Sequence, residues 1–214
     1  MKKQYNRLVT NGIKLIVFVI MISFFIYLGT KDYNTNIPDN VRFANEYKEV
    51  SKNNIFVYAS GEKINKLLSD GNGIIFLGFS SNIWSHYYAN FLNEVAIENE
   101  IDKIYYYDFL RDRTINNRIY ENIVKRLRNH LMLSDLGASD LAAPSVVIVK
   151  DGSVIYFNDE VQTIRGDIKP EDYFTDYKKN YIVAEFSNAI KLFKGELEWW
   201  EMKQMVIWDL VSSF

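Results

Sequence analysis

In the stretch "IIFLGFSSNIWSHYYANFLNEVA", Ile74 to Ala96, an apolar run leads directly into a helical pattern. The run from Ile74 to Phe79 has the unbroken apolar character of a strand that is covered on both faces. After it, apolar side chains recur at helical spacing, which predicts a helix from about Asn82 to Glu98 with one buried stripe. The stretch therefore predicts a β-α unit inside an α/β domain.

Strand and helix signals alternate on both sides of this unit. The expected helices are a short one capped by Ser60 and ended by Gly71 and Gly73, one around Asn117 to Leu133, and a last one marked by Ile182 to Phe193. The other expected strands are Ile55 to Ala59, Lys103 to Phe109, and two within Pro144 to Phe157 joined at Asp151-Gly152. The order β-α-β-α-β-α-β-β-α predicts a mixed central sheet with helices on both faces.

Composition excludes several classes of function. The 214 residues are 48% hydrophobic and 24% charged, which is ordinary for a globular domain with an appendage. A net charge of −2 does not suit a nucleic-acid-binding protein. The absence of cysteine excludes disulfides, thiol catalysis and zinc-thiolate or iron–sulfur sites, and two histidines are too few for a histidine-built metal site. We therefore expect no metal, no cofactor and no nucleic-acid partner.

The first thirty residues carry a membrane signal. Residues 13–30 are almost entirely apolar and follow three basic residues, which predicts a transmembrane signal anchor. The positive-inside rule places residues 1–12 in the cytoplasm and the remainder outside, with 31–48 as a polar tether. A cleaved secretory signal is the alternative, but Tyr27 and Leu28 are large where cleavage requires small residues, which favours an uncleaved anchor.

A second motif, "AAPSVVIVKDGSVIYF" from Ala142 to Phe157, adds a family resemblance. Together with the opening stretch it resembles the thioredoxin-like superfamily, and most closely the secreted or membrane-anchored Gram-positive members of the bacteriocin transport accessory type. In those proteins a strand ending in Gly-Phe leads to Cys-Pro-Trp-Cys and a helix ending in "NEVA". The resemblance covers about Arg42 to Gly195 and implies a thioredoxin-like domain over 49–195. The four active-site positions of the family fall on Asn82, Ile83, Trp84 and Ser85, of which only Trp84 matches.

The departure from the family is chemical. Asn82 can still cap the helix as the first cysteine does, whereas the hydroxyl of Ser85 cannot form a disulfide or ionise usefully near neutral pH. The resemblance implies a cis proline at Ala143-Pro144, and a groove formed by Trp84, Ala143 and Pro144 that pairs with an extended segment. Trp84 is either a ligand-facing aromatic in this groove or a lid over the helix end.

The resemblance implies a redox-inactive module that binds proteins or assists assembly, held at the cell membrane with its domain outside the cytoplasm. Its partner would be an extracytoplasmic or membrane protein. One alternative is membership of a thiol-disulfide oxidoreductase family of the bacteriocin maturation type, with catalytic activity lost in this copy or supplied by a partner. Another is a structural spacer that holds the tail near the membrane.

Other polar residues favour ordinary roles. Ser85 and His86 are adjacent on a helix and point in different directions, so we expect no nucleophile-base pair and a solvent-facing His86. Asp108 is either a buried acid or a strand-end cap. The Trp-rich tail, 196–214, is expected to dock on its own domain or on a membrane partner. A positively charged set is expected to be a solvated helix face, with a polyanion or anionic lipid contact as the alternative: Arg111, Arg113, Arg118, Lys125, Arg126 and Arg128.

Overall fold

The computed structural model describes residues 21, 37–131, 140–164 and 166–198. Its contacts divide the chain into two units, 1–37 and 38–214. The anchor expected at 13–30 lies outside the described residues apart from Met21, as do the N-terminal segment 1–12 and most of the tail. Within the described part of the chain, no helix is both long enough and apolar enough to cross a bilayer.

The second unit contains a five-stranded mixed sheet. Its strand order is β1-β3-β2-β4-β5, in which β1, β3 and β2 run parallel while β4 and β5 are antiparallel to their neighbours. The strands are β1 (Phe56–Tyr58), β2 (Gly73–Gly78), β3 (Ile104–Asp108), β4 (Ser145–Lys150) and β5 (Ser153–Asn158). The mixed α/β class and every strand expected from the sequence are confirmed.

Seven α-helices and one 3₁₀ turn are found among the described residues. The helices are α1 (Asp39–Glu46), α2 (Gly61–Asp70), α3 (Ile83–Glu98), α4 (Leu110–Thr114), α5 (Arg118–Leu127), α6 (Pro170–Tyr173) and α7 (Asp176–Lys194), and the 3₁₀ turn is Glu160–Thr163. Ser60 caps α2 by accepting a hydrogen bond from the Lys63 amide, and Gly71 ends that helix, as expected. The helix expected to reach Leu133 is shorter, because α5 ends at Leu127.

The sheet is covered on both faces, as the element order predicts. On one face α1, α3 and α7 contribute buried side chains such as Phe43, Leu92 and Phe186 to a core over Phe76 and Ile148. On the other face α2 and α5 cover alternate residues of the same strands. The list of that second core includes Leu67, Ile75, Leu77, Ile123, Leu127, Val147 and Val149. Strand β2 is buried along its whole length because both layers contact it.

Helix α1 was not expected from the sequence. It lies within the stretch 31–48 that we expected to be a polar tether, and Phe43 and Tyr47 are completely buried. The Phe43 ring stacks on Tyr47 and on Phe56 of β1, with centroids 4.2 Å and 3.9 Å away. The two aromatic residues are four positions apart and so share one helical face, while the surrounding polar residues hide that pattern. The packed unit therefore begins at Pro38.

Candidate functional site

The candidate site is at the N-terminus of α3, where the chain turns out of β2. The Asn82 amide donates to the Phe79 carbonyl at 3.0 Å, which closes the turn after the strand. The Asn82 side chain then accepts a hydrogen bond from the Ser85 amide at 3.3 Å. This satisfies one of the backbone donors that a helix leaves unpaired at its start. Asn82 is therefore the N-cap of α3, as the sequence predicts.

The sheet register brings the second motif to the same place. Strand β4 pairs antiparallel with β2 and aligns Ser145 with Leu77, so the residues just before β4 lie beside the end of β2. The Asn82 side-chain amide donates to the Ala143 carbonyl at 2.8 Å. The Ala143-Pro144 peptide bond is cis, as the resemblance implies. One side chain therefore both caps the helix and holds the loop before Pro144.

Ser85 is enclosed beneath the start of α3. Its side chain is completely buried, and its hydroxyl has no hydrogen-bond partner among the described residues. A methyl group at Gly78 would lie 3.0 Å from the Ser85 oxygen, so the glycine leaves the room that the serine occupies. A buried hydroxyl without a base cannot attack a substrate. The position of Ser85 therefore gives its hydroxyl neither access to a substrate nor a base among the described residues.

Trp84 and Ile83 are the apolar side chains that this helix end presents. The Trp84 ring is half-buried and packs edge-on against Tyr173 of α6 and Phe174, each 5.5 Å away between centroids. Ile83 keeps 50% of its surface exposed. Trp84 was expected to be either a ligand-facing aromatic or a lid over the helix end. Its position has features of both, because part of the ring packs on Tyr173 and Phe174 while the rest of its surface remains accessible.

Arg113 also lies in this region, although the sequence indicated only that it belongs to a solvated helix face. It is half-buried, and its guanidinium lies 5.3 Å from the Phe79 ring and 5.4 Å from the Phe109 ring. It also donates to the Leu141 carbonyl at 3.5 Å. Arg113 therefore contacts both chain segments that meet at Asn82. The other members of the basic set are exposed, as expected: Arg111, Arg118, Lys125, Arg126 and Arg128.

Two further expectations concern His86 and Asp108. His86 does not face solvent freely: it is half-buried, its Nε2 lies 2.8 Å from the Ser80 carbonyl oxygen, and its ring centroid lies 5.0 Å from that of Tyr47. The buried Tyr47, which directly follows the unexpected helix α1, packs on the His86 ring and is the reason for this difference. Asp108 caps the chain after β3 by accepting a hydrogen bond from the Leu110 amide at 3.0 Å, which agrees with the capping interpretation.

The four central residues of the arrangement, Asn82 to Ser85, supply no thiol. Asn82 fixes the loop before Pro144, and Trp84 and Ile83 provide apolar surface. Arg113 could not be identified from sequence, because its contacts join residues that are far apart in the chain.

The chain matches no protein-family model, no curated protein and no solved structure.

Proposed function

We propose that this chain is a membrane-anchored, extracytoplasmic protein with a redox-inactive thioredoxin-like domain, which binds a partner protein in a groove formed by Asn82 to Ser85 and Ala143-Pro144. Residues 13–30 would anchor it. The observation that carries the proposal is the hydrogen bond from the Asn82 side chain to the Ala143 carbonyl. It joins the two motifs on which the family resemblance rests. The strand order is consistent with a thioredoxin-like sheet.

The chemistry of the site supports binding without electron transfer. Thiol-disulfide exchange requires a thiolate that attacks sulfur, and the chain contains no cysteine. Asn82 retains the helix cap without a nucleophile, and the Ser85 hydroxyl is enclosed. Recognition would rest on backbone pairing with an extended segment and on apolar contact with Trp84.

The test is photo-crosslinking in cells that express the full chain, with a photoreactive amino acid in place of the exposed Ile83. A buried tryptophan anchor contributes about 2 kcal/mol or more to binding, which corresponds to roughly a 30-fold change in Kd. We expect Trp84→Ala to abolish the crosslinked species. The matched control is Ile115→Ala, since Ile115 is 61% exposed outside the groove and should leave the crosslink unchanged. An undiminished crosslink in Trp84→Ala would contradict the proposed groove.

The oxidoreductase alternative differs from the proposed function only when a thiol-bearing partner is present. Its activity would have to come from a partner's thiols, because this chain has none. The purified chain alone is therefore expected to give no turnover in an insulin-reduction assay. Turnover by the pure protein would refute the redox-inactive function while leaving open whether the groove binds proteins.

A further inference from the structure

A polar cavity of about 340 Å³ lies between the end of β5 and the first half of α7. Its volume is within the range of about 300 to 1,000 Å³ found for small-ligand sites, and it opens widely to solvent. The cavity is separate from the Asn82 cap, although Tyr173 contacts one residue of each: its ring contacts Trp84 and its hydroxyl donates to Glu160. The residues that line the cavity are Phe157, Asn158, Asp159, Glu160, Lys178, Tyr181 and Glu185.

Negative charge exceeds positive charge in this lining. Three carboxylates, those of Asp159, Glu160 and Glu185, face one ammonium group, that of Lys178. Lys178 forms its ion pair with Glu160. Glu185 accepts a hydrogen bond from the Asn158 amide at 3.3 Å, which is a neutral donor. The cavity therefore has two carboxylates whose charge the Lys178–Glu160 pair does not balance.

Two buried oxygen atoms here lack hydrogen bonds among the described residues. One is Oδ2 of Asp159 and the other is the hydroxyl of Tyr156, whose side chain is only 9% exposed. The Tyr156 hydroxyl lies near Asn158 and Glu185 without a hydrogen bond of normal length and angle to either. Leaving a buried polar group unpaired costs about 1 to 3 kcal/mol, so a ligand with N–H donors that reached these oxygens would be stabilised by them.

The titration of the two carboxylates agrees with the excess of negative charge in the lining. Burial raises the pKa of Glu185 and that of Asp159 above their ordinary values. Burial has this effect when a carboxylate loses water without gaining a sufficient counter-charge. A bound cation with N–H donors would restore both the charge balance and the hydrogen bonds.

The aromatic lining indicates an organic cation. The Lys178 ammonium lies 4.8 Å from the Tyr181 ring centroid and 5.6 Å from that of Tyr173. The cavity therefore already holds one ammonium group between carboxylate and aromatic surface. Among the described residues no group of three or more histidine, aspartate or glutamate side chains is arranged to hold a metal ion. We propose that this cavity binds an alkylammonium or guanidinium group, which pairs with Glu185 and Asp159 and stacks on Tyr181.

The test is a calorimetric titration of the purified full chain with agmatine, which carries a guanidinium and an ammonium group. We expect saturable binding that Glu185→Gln and Asp159→Asn each weaken at least tenfold, because both changes remove charge while keeping shape. Glu98→Gln is the matched control, since Glu98 is exposed on α3 and its change should leave the affinity intact. Butylurea, an uncharged ligand, is expected not to bind.

A third variant separates ligand binding from a purely structural network. Lys178→Met removes the ammonium that repels an incoming cation, so we expect it to bind agmatine at least threefold more tightly than the wild type. A structural role alone predicts no gain. The proposal is overturned by an absence of saturable binding, by wild-type affinity in Glu185→Gln and Asp159→Asn, or by weaker binding in Lys178→Met.

The same cation could be a free amine or the side chain of a protein. A short peptide with one arginine between glycines, blocked at both ends, is titrated beside agmatine, with the citrulline peptide as its uncharged control. Tighter binding of agmatine supports a free amine as the guest, and tighter binding of the arginine peptide supports a basic side chain of a partner. If neither probe binds with a dependence on Glu185 and Asp159, the site is refuted.

Discussion

Replacing Asn82 tests the junction between the two motifs. Asn82→Ala removes the cap of α3 and the hydrogen bond to the Ala143 carbonyl. The side-chain hydrogen bond of an N-cap stabilises a protein by about 1 kcal/mol. We expect no more than this ordinary loss, because the Ser85 amide also donates to the Asn82 carbonyl at 3.0 Å and keeps that bond in the variant. The hydrogen bond to Ala143 is worth about 1 kcal/mol more. We expect the free energy of unfolding to fall by about 2 kcal/mol, which lowers Tm by about 4 to 8 °C.

A second substitution of Asn82 separates the contribution of the helix cap from that of the hydrogen bond to Ala143. Asn82→Asp keeps an acceptor for the Ser85 amide and places negative charge at the helix N-terminus, but it cannot donate to Ala143. Its free energy of unfolding should therefore fall only by the contribution of the hydrogen bond to Ala143, about 1 kcal/mol. Asn117 caps α5 by accepting from the Tyr120 amide at 2.9 Å, so Asn117→Ala calibrates the loss of a cap elsewhere.

The measurement is urea-induced unfolding of the purified full chain, followed by circular dichroism. The reasoning also predicts that Asn82→Asp weakens the Ile83 crosslink described above, because the loop that carries Ala143 is released, whereas Asn117→Ala leaves it intact. If Asn82→Ala and Asn82→Asp both unfold within 0.5 kcal/mol of the wild type, roughly the ordinary effect of a neutral surface change, the junction does not hold the site together.

The remaining predictions concern two buried polar side chains. Ser85→Ala removes an unpartnered buried hydroxyl and is expected to raise the free energy of unfolding by about 1 kcal/mol; a loss of stability in urea would mean that the hydroxyl has a partner. Burial raises the pKa of Glu185 from its ordinary value of 4.5, so the folded state keeps this proton at pH values where the unfolded state has lost it. Its contribution therefore makes stability fall as pH rises from 4.5 through the raised pKa. Glu185→Gln should be more stable than the wild type at pH 7.5 and equal to it near pH 4, and a constant difference in urea midpoints across this range would contradict the assignment.

The sequence predicts the main elements well where local signals agree. The apolar run of β2, the cap at Asn82 and the turn at Asp151-Gly152 each depend on residues close together in the chain, and each is found where expected. Local signals fail at α1, where two aromatic residues, Phe43 and Tyr47, are surrounded by polar ones. The helix is stabilised by packing on β1, which periodicity within eight residues does not reveal.

Contacts across the fold are the part that local patterns miss. The expectation that Asn82 would lie near Ala143 came from the family resemblance, because 61 residues separate them. Arg113 was assigned to a solvated face, since nothing in its own helix indicates Phe79 or Leu141 as partners. The polar cavity beside α7 was missed for the same reason: Asp159 and Glu185 come from different elements and meet only in the folded chain.

Tyr173 contacts one residue of each of the two candidate sites. Its ring contacts Trp84 and its hydroxyl donates to Glu160, so a guest that shifted this tyrosine at one end would change the surroundings of the other. Thermodynamic linkage makes such an effect mutual: the factor by which a peptide alters amine affinity equals the factor by which the amine alters peptide affinity.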